Sequence, residues 1–319
     1  MRLHAYILAA DPAWIEASVL SYYDIVDRIV VSYDENSRGW TGAPIDVEQC
    51  LTRLRAIDKS GKFDYCPGHF ARTEFFDRPM ENDTYQRQVA LNEASNGADW
   101  VLQFDTDEVL ADKEIFFDCV KSADRDNYGA IEFPARWIYR QLGNNLYLEN
   151  CRSLWTIMAG YPGPVAVRAH SRLRVARQCD VRAYRIDFRS RNTDPWRPRD
   201  APVHGKIRQR QGIYHFSLVR NEESLRRKSK SFSHAKDLDW EREIDHWLWC
   251  GRHPFLAAMS GLFVRRRNVG LYRRALRVVR IRLPEALAGF NAKDGGLHPD
   301  IAPHAPASFL SIAHPIRST

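Results

Sequence analysis

Two carboxylates one residue apart, Asp105 and Asp107 in the run Asp105-Thr106-Asp107-Glu108, have the clearest chemical use in this sequence. Left bare at the end of a strand they repel each other. A hard divalent cation relieves that repulsion, and oxygen ligands favour Mg2+ or Mn2+, which keep open positions for a substrate's phosphates. The structural alternative is a capped acidic turn opening the next helix.

The elements that must position these groups read as alternating strands and helices. Strand patterns cover LHAYILAA (3–10), RIVVSYD (28–34), Lys62–Cys66 and DWVLQFDTDEVL (99–110). Between them, Asp11-Pro12 precedes Ile15, Val19, Tyr22 and Val26 at helical spacing. Asp46 opens a second helix, and Asn82 or Asp83 caps a third that ends near Asn96 before Gly97. A further helix follows Asp112, then a strand over Tyr128–Trp137. Alternation of this kind predicts an α/β fold with a mainly parallel sheet flanked by helices, and ligands then bind beyond the carboxyl ends of the strands. Residues 138–212 pattern poorly and 192–202 reads as a loop. A short strand is expected within Gly212–Leu218, an Asn221-capped helix after it, and helices over Trp240–Cys250 and 255–282.

The chain of 319 residues is 44% apolar and 27% charged, with a mean hydropathy of -0.47, which excludes general disorder. No apolar run approaches the ~18–20 residues of a bilayer span, and the start reads as no signal peptide. Six scattered cysteines predict reduced thiols and a cytoplasmic protein. The net charge of +7 conceals a split: residues 1–150 hold 15 Lys+Arg against 26 Asp+Glu, and the remainder is strongly basic. RRRNVGLYRRALRVVRIR (265–282) has eight Arg and no acid. It reads as a basic amphipathic helix for an anionic membrane surface, with Phe255, Leu256, Met259, Leu262 and Phe263 for apolar insertion, peripheral on the inner face of the cytoplasmic membrane. No motif for reading nucleic acid is present.

The order of these features resembles the GT-A-type nucleotide-sugar glycosyltransferases, in particular family 2 and its relatives that build lipopolysaccharide core and surface glycans. The resemblance runs over about 1–235: the first strand and turn (Tyr6–Trp14), the second strand ending in Asp34, TYQRQVALNEASNGADWVLQFDTDE (84–108), HSRLRV (170–175) and PVHGKIRQRQGIYHFSLVRNEESLRRKSKSFS (202–233). It implies a Rossmann-like GT-A domain over 1–235, with a donor half (1–125) and an acceptor half (126–235), and then a helical basic extension over 236–319. It implies a nucleotide-sugar donor, most often a UDP-sugar, held through Mn2+ or Mg2+. Asp107 would bind the metal, Asp105 the ribose or the metal, Asp34 and Ala9–Asp11 the nucleoside, and Arg87 the base or pyrophosphate. His215, in IYHFSLVR, would be the third metal ligand, with a weaker claim for His204, since a neutral imidazole completes such a site when Mn2+ is used. Arg220, Arg227 and Lys228 would meet the departing diphosphate, because cations aimed at developing negative charge stabilise the transition state. The structural alternatives are a core or rim histidine and a solvated basic helix face. The acceptor would be a hydroxyl of a surface glycan or lipid-linked saccharide, with Trp137, Tyr139, Tyr147, Trp155 and Tyr161 available to stack on sugar rings. Inversion needs a general base. The family's Glu after the first His is Gly205 here, and Asp200 is the acid nearest His204. The rival readings are a sugar nucleotidyltransferase and a catalytically inactive glycan- or membrane-binding adaptor.

Overall fold

The computed structural model describes residues 1–143, 145–153, 156–260 and 275–283. In chain order the strands are β1 (Leu3–Leu8), β2 (Arg28–Asp34), β3 (Phe63–Gly68), β4 (Trp100–Leu102), β5 (Glu108–Leu110), β6 (Ala130–Glu132), β7 (Ala135–Gly143), β8 (Leu146–Ser153), β9 (Thr156–Ile157), β10 (Ala166–Arg168), β11 (Leu173–Val175), β12 (Gln178–Cys179), β13 (Ala183–Asp187), β14 (Gly205–Lys206), β15 (Ile213–His215) and β16 (Ala275–Arg280). The helices are α1 (Ile15–Leu20), α2 (Val47–Ile57), α3 (Pro79–Ala94), α4 (Lys113–Arg125), α5 (Glu222–Ser231), α6 (Trp240–Arg252) and α7 (Pro254–Ser260).

Eight strands form the main sheet in the order β14-β13-β6-β10-β4-β1-β2-β3. Neighbours pair in parallel except at β10, which runs antiparallel to both β4 and β6. The sheet is covered on both faces. Ala5, Ile7, Ile29 and Val31 pack with Ile15, Val19, Leu51, Leu54, Phe116 and Val120 from α1, α2 and α4. The opposite face, with Tyr6, Leu8, Val30 and Val101, packs on Ala90, Leu91 and Ala94 of α3. Burial on both sides is why β1 reads as an unbroken apolar run rather than an alternating one. A second sheet, β16-β8-β7-β15-β5 with β9 beside β8, stands next to it and carries His215.

The α/β architecture agrees with expectation, and four local readings are corrected. Asn82 and Asp83 do not cap α3: the helix starts at Pro79, whose missing N–H is harmless in the first turn, and both polar side chains are buried on its inner side. The strand expected over Tyr128–Trp137 divides around Phe133-Pro134 into β6 and β7, which belong to different sheets. Within the poorly patterned 138–212 lies the β7–β8 hairpin, whose irregular register hides its alternation.

The fourth correction concerns the basic helix over 255–282. Residues 261–274 of that span lie outside the described residues, α7 covers Pro254–Ser260, and Ala275–Arg280 is a strand paired antiparallel with β8 rather than helix. Its side chains alternate with period two: Leu276 and Val278 join the cluster around Trp247, whereas Val279 joins the cluster around Tyr147. Arg277 turns inward and donates from Nε to Glu149 Oε2 at 2.9 Å, so it is unavailable to a lipid surface. Arg265, Arg266, Arg267, Arg273 and Arg274 lie outside the described residues. The strand also ties part of the expected 236–319 extension into the second sheet. Among the described residues no helix is long and apolar enough to cross a membrane, and all six cysteines are free.

Candidate functional site

Order in the main sheet reverses at β1, which pairs with β2 on one side and β4 on the other. The loops leaving the carboxyl ends of these strands therefore diverge and open a crevice, the usual place for a ligand in such a sheet. A cleft of about 440 Å³ lies there, lined by Ala9–Pro12 after β1, Asp34 and Arg38–Trp40 after β2 and Asp105–Asp107 after β4. Asp83, Gln86 and Arg87 of α3 form one wall. Ser224, Arg227, Lys228 and Ser231 of α5, at helical spacing, form the facing one.

The acidic turn is rigidly held. Glu108 is buried and accepts two hydrogen bonds from Arg177, at 2.7 and 2.5 Å. Its Oε2 also accepts from the Asp105 N–H at 3.1 Å, and Arg177 Nη1 reaches the Gln103 carbonyl at 2.8 Å. Ser18 Oγ donates to the Asp105 carbonyl at 2.9 Å. Arg87, inside α3, bridges Asp83 (2.6 Å) and Asp105 (2.8 Å). Burial alone would raise the Asp105 pKa, but Arg87 and Arg177 outweigh it and hold this carboxyl at about 2.

Asp107 sits in a denser knot of charge. His215 Nε2 lies 3.2 Å from its Oδ1, because β15 pairs antiparallel with β5 and brings His215 opposite Glu108. Arg220 contacts Oδ2 at 3.2 Å, and the Lys228 ammonium contacts the same oxygen. Arg220 also pairs with Asp11, whose carboxylate lies 3.6 Å from Lys228. Trp14 fixes this corner by stacking on Phe216 (4.1 Å between centroids) and donating to the Val219 carbonyl. Burial opposes the charge of Asp107, yet Lys228 and His215 hold its carboxyl well below the usual range. The same contact raises the His215 pKa against the effect of burial.

The 34–44 loop closes the far side. The Asp34 carboxylate accepts from the N–H groups of Asn36, Arg38, Phe70 and Ala71, so its oxygens are spent on loop shape. Trp40 donates to Gln86 Oε1 at 2.8 Å, and its own N–H reaches the Ser231 carbonyl at 3.1 Å. A Cβ on Gly39 would come within 2.6 Å of that carbonyl oxygen. The loop thus approaches the end of α5 closely enough to require a glycine.

Of the expected site residues, Ala9, Asp11, Asp34, Arg87, Asp105, Asp107, His215, Arg227 and Lys228 all line the cleft. Asp200 does not. It is exposed in the 188–204 loop, which is anchored at the β13 edge through Asn192 and Asp194 to Arg185. His204 is likewise absent from the cleft: its Nδ1 accepts from the Arg185 N–H and its ring stacks on Tyr184. Tyr139 and Tyr147 are fully buried core, Tyr161 donates to the Ile186 carbonyl, and Trp155 lies outside the described residues. Trp137 lines the cleft, edge-on to His215. Sequence reasoning missed Trp40, Gln86, Asp83, Arg177 and His234. His234 lines the cleft with Nδ1 2.7 Å from Asp237 Oδ2.

Among the described residues no three His, Cys, Asp or Glu side chains are grouped as a complete metal cage. Asp107 and His215 nevertheless stand side by side, with Asp105 two residues away. Mg2+ and Mn2+ at phosphate sites are held by one or two protein ligands, with water and phosphate oxygens completing the shell. Asp105, Asp107 and His215 are of the donor types that Mg2+ and Mn2+ accept, with Arg220 and Lys228 lying on Asp107 Oδ2.

No protein-family model matches the chain, and no curated protein matches it. Solved structures with some similarity include 4-diphosphocytidyl-2C-methyl-D-erythritol synthase from Anaerococcus prevotii, at 13% identity over 53% of this chain and 71% of that one (TM-score 0.30). Mannose-6-phosphate isomerase from Helicobacter pylori matches at 9% identity over 53% of this chain and 61% of that one (TM-score 0.26). Mannose-1-phosphate geranyltransferase from Thermus thermophilus matches at 10% identity over 54% of this chain and 51% of that one (TM-score 0.27). At these TM-scores the likeness carries no weight for function.

Proposed function

We propose that the chain is a glycosyltransferase that binds a nucleotide sugar, together with Mn2+ or Mg2+, and moves the sugar to a hydroxyl of a glycan or glycolipid. The supporting observation is the pairing of a buried acidic turn with a cation-bearing helix across one cleft at the sheet's crossover. Asp107 and His215 would hold the ion, with Asp105 beside them. The ion would supply positive charge to the diphosphate as it departs. Arg227 and Lys228 face the same space and serve the same charge. Trp40 and the backbone at Ala9–Asp11 offer a planar face and polar edges to the nucleoside.

In the reaction, the acceptor oxygen forms a bond to the anomeric carbon. The bond from that carbon to the diphosphate breaks, and its electron pair leaves with the phosphate. The acceptor's proton needs a base inside the cleft, where Asp200 is not. His234 takes that role: Asp237 engages Nδ1, which leaves Nε2 as the accepting position.

The test is thermal stability with UDP, GDP, ADP, CDP and TDP, with and without Mn2+. A ligand at ~100 Kd contributes about 2.7 kcal/mol. A Mn2+-dependent rise in Tm with one diphosphate, lost in Asp107→Asn, is the expected result. No shift with any of them overturns the proposal. A preference for triphosphates transfers it to nucleotidyl transfer.

A further inference from the structure

Lys228 occupies an awkward place for a residue that serves only the leaving group. Its ammonium lies on Asp107 Oδ2, an oxygen of the carboxylate assigned above to the divalent ion. The side chain is largely buried and Asp11 lies 3.6 Å away, so this is a held position rather than a solvated contact. Two carboxylates, Asp11 and Asp107, here face two basic side chains, Arg220 and Lys228. These four groups alone already balance, before His215 on Asp107 Oδ1 is counted. A divalent ion at Asp107 would add two positive charges beside Lys228 with nothing to balance them. A diphosphate arriving with the ion restores the balance and gives the ammonium a new partner. Arg220 is fully buried and also paired with Asp11, whereas Lys228 comes from a helix face that already lines the cleft. Lys228 is therefore the cation with somewhere to go.

We propose that Lys228 is a resident competitor for the metal position: it suppresses binding of the ion alone and couples ion and diphosphate into one binding event. This rests on the divalent reading above. A ligand that relieves such competition must raise the affinity of its partner, and the coupling is reciprocal.

The experiment measures Mn2+ binding by electron paramagnetic resonance, with and without inorganic pyrophosphate, in the wild-type protein, Lys228→Met, Lys228→Arg and Asp107→Asn. In the wild type, pyrophosphate should tighten Mn2+ at least about tenfold, the scale expected when one close like charge is compensated. Lys228→Met should bind Mn2+ alone about tenfold more tightly than the wild type and lose most of the coupling, because the neutral side chain no longer competes. Lys228→Arg, which keeps the charge, should not tighten Mn2+. Unchanged or weaker Mn2+ binding in Lys228→Met overturns the inference, as does a wild type in which pyrophosphate leaves Mn2+ affinity unchanged. The second readout holds even if a variant folds poorly. If Mn2+ binds to no form under either condition, the divalent reading itself falls. If it binds the wild type, is lost in Asp107→Asn and ignores Lys228, only the competition falls.

Discussion

Arg177 should be the residue on which the acidic turn depends most, although it faces the cleft from a distant loop. Its side chain is fully buried and makes three hydrogen bonds, two to Glu108 and one to the Gln103 carbonyl. Removing it in Arg177→Met leaves the Glu108 carboxylate inside the protein with no cation of its own. Breaking a buried pair from one side costs about 3–5 kcal/mol, because the surviving charge stays desolvated. At roughly 2–4 °C per kcal/mol, a conservative rate for a chain of this size, Tm should fall by at least about 6 °C. The double variant Glu108→Gln/Arg177→Met removes both charges and keeps an oxygen for the Asp105 N–H. It should regain much of the loss, giving a coupling of about 2 kcal/mol or more in a double-mutant cycle. Thermal unfolding followed by circular dichroism reads all four proteins. If Arg177→Met lowers stability by less than about 1 kcal/mol, or the double variant is simply additive, the buried-pair reasoning is wrong.

Three further outcomes follow from other contacts. Glu149, between Arg136 and Arg277, has its carboxyl pKa pulled below its usual 4.5 because those guanidinium groups outweigh the effect of burial. The stability this confers is present above about pH 4.5 and is lost as pH falls through the lower folded value, so Tm should drop steeply below pH 4.5 and less steeply in Glu149→Gln. Gly39→Ala pushes a methyl toward the Ser231 carbonyl and should part the 34–44 loop from α5; nucleoside diphosphate binding by calorimetry should weaken several-fold, with Tm changed by only a few degrees. His234→Gln should leave diphosphate binding intact while sugar transfer falls by about 10²-fold or more, and the loss should shrink at high pH, where hydroxide takes the acceptor's proton; equal rates at all pH values would return the base to another group.

Much of this site was legible because the chemistry sits where local pattern is strongest. An apolar strand that ends in Asp-x-Asp-Glu needs no partner to be noticed, and the Asn221 cap with acids behind it marks α5 clearly. What the local pattern did not carry is set by pairing across the chain. Arg177 lies 69 residues from Glu108 on the short β11–β12 turn, where no periodicity advertises it. Trp40 is in a loop whose shape depends on Asp34 taking four backbone donors. Asp200 is near His204 in sequence, but His204 is committed to Arg185 and Tyr184. The eight-Arg run reads as a helix by composition, and only the alternating burial of Leu276 and Val278 against Val279 exposes the strand.

The missed contacts share one physical character. Asp107 meets Lys228 across 121 positions and Asp11 meets Arg220 across 209, and both pairs are buried or nearly so. Such pairs add little net stability, since desolvation offsets most of their attraction, but a half-made pair is costly. They therefore act as a condition on the fold: the buried acidic turn depends on the cations of Arg220 and Lys228. The same condition makes the cleft responsive. On the proposed function, a ligand that brings its own metal and phosphate charge would exchange partners with these groups while leaving none of them unpaired. The fold can therefore hold Asp11, Asp107, Arg220 and Lys228 around one cleft with each of them paired.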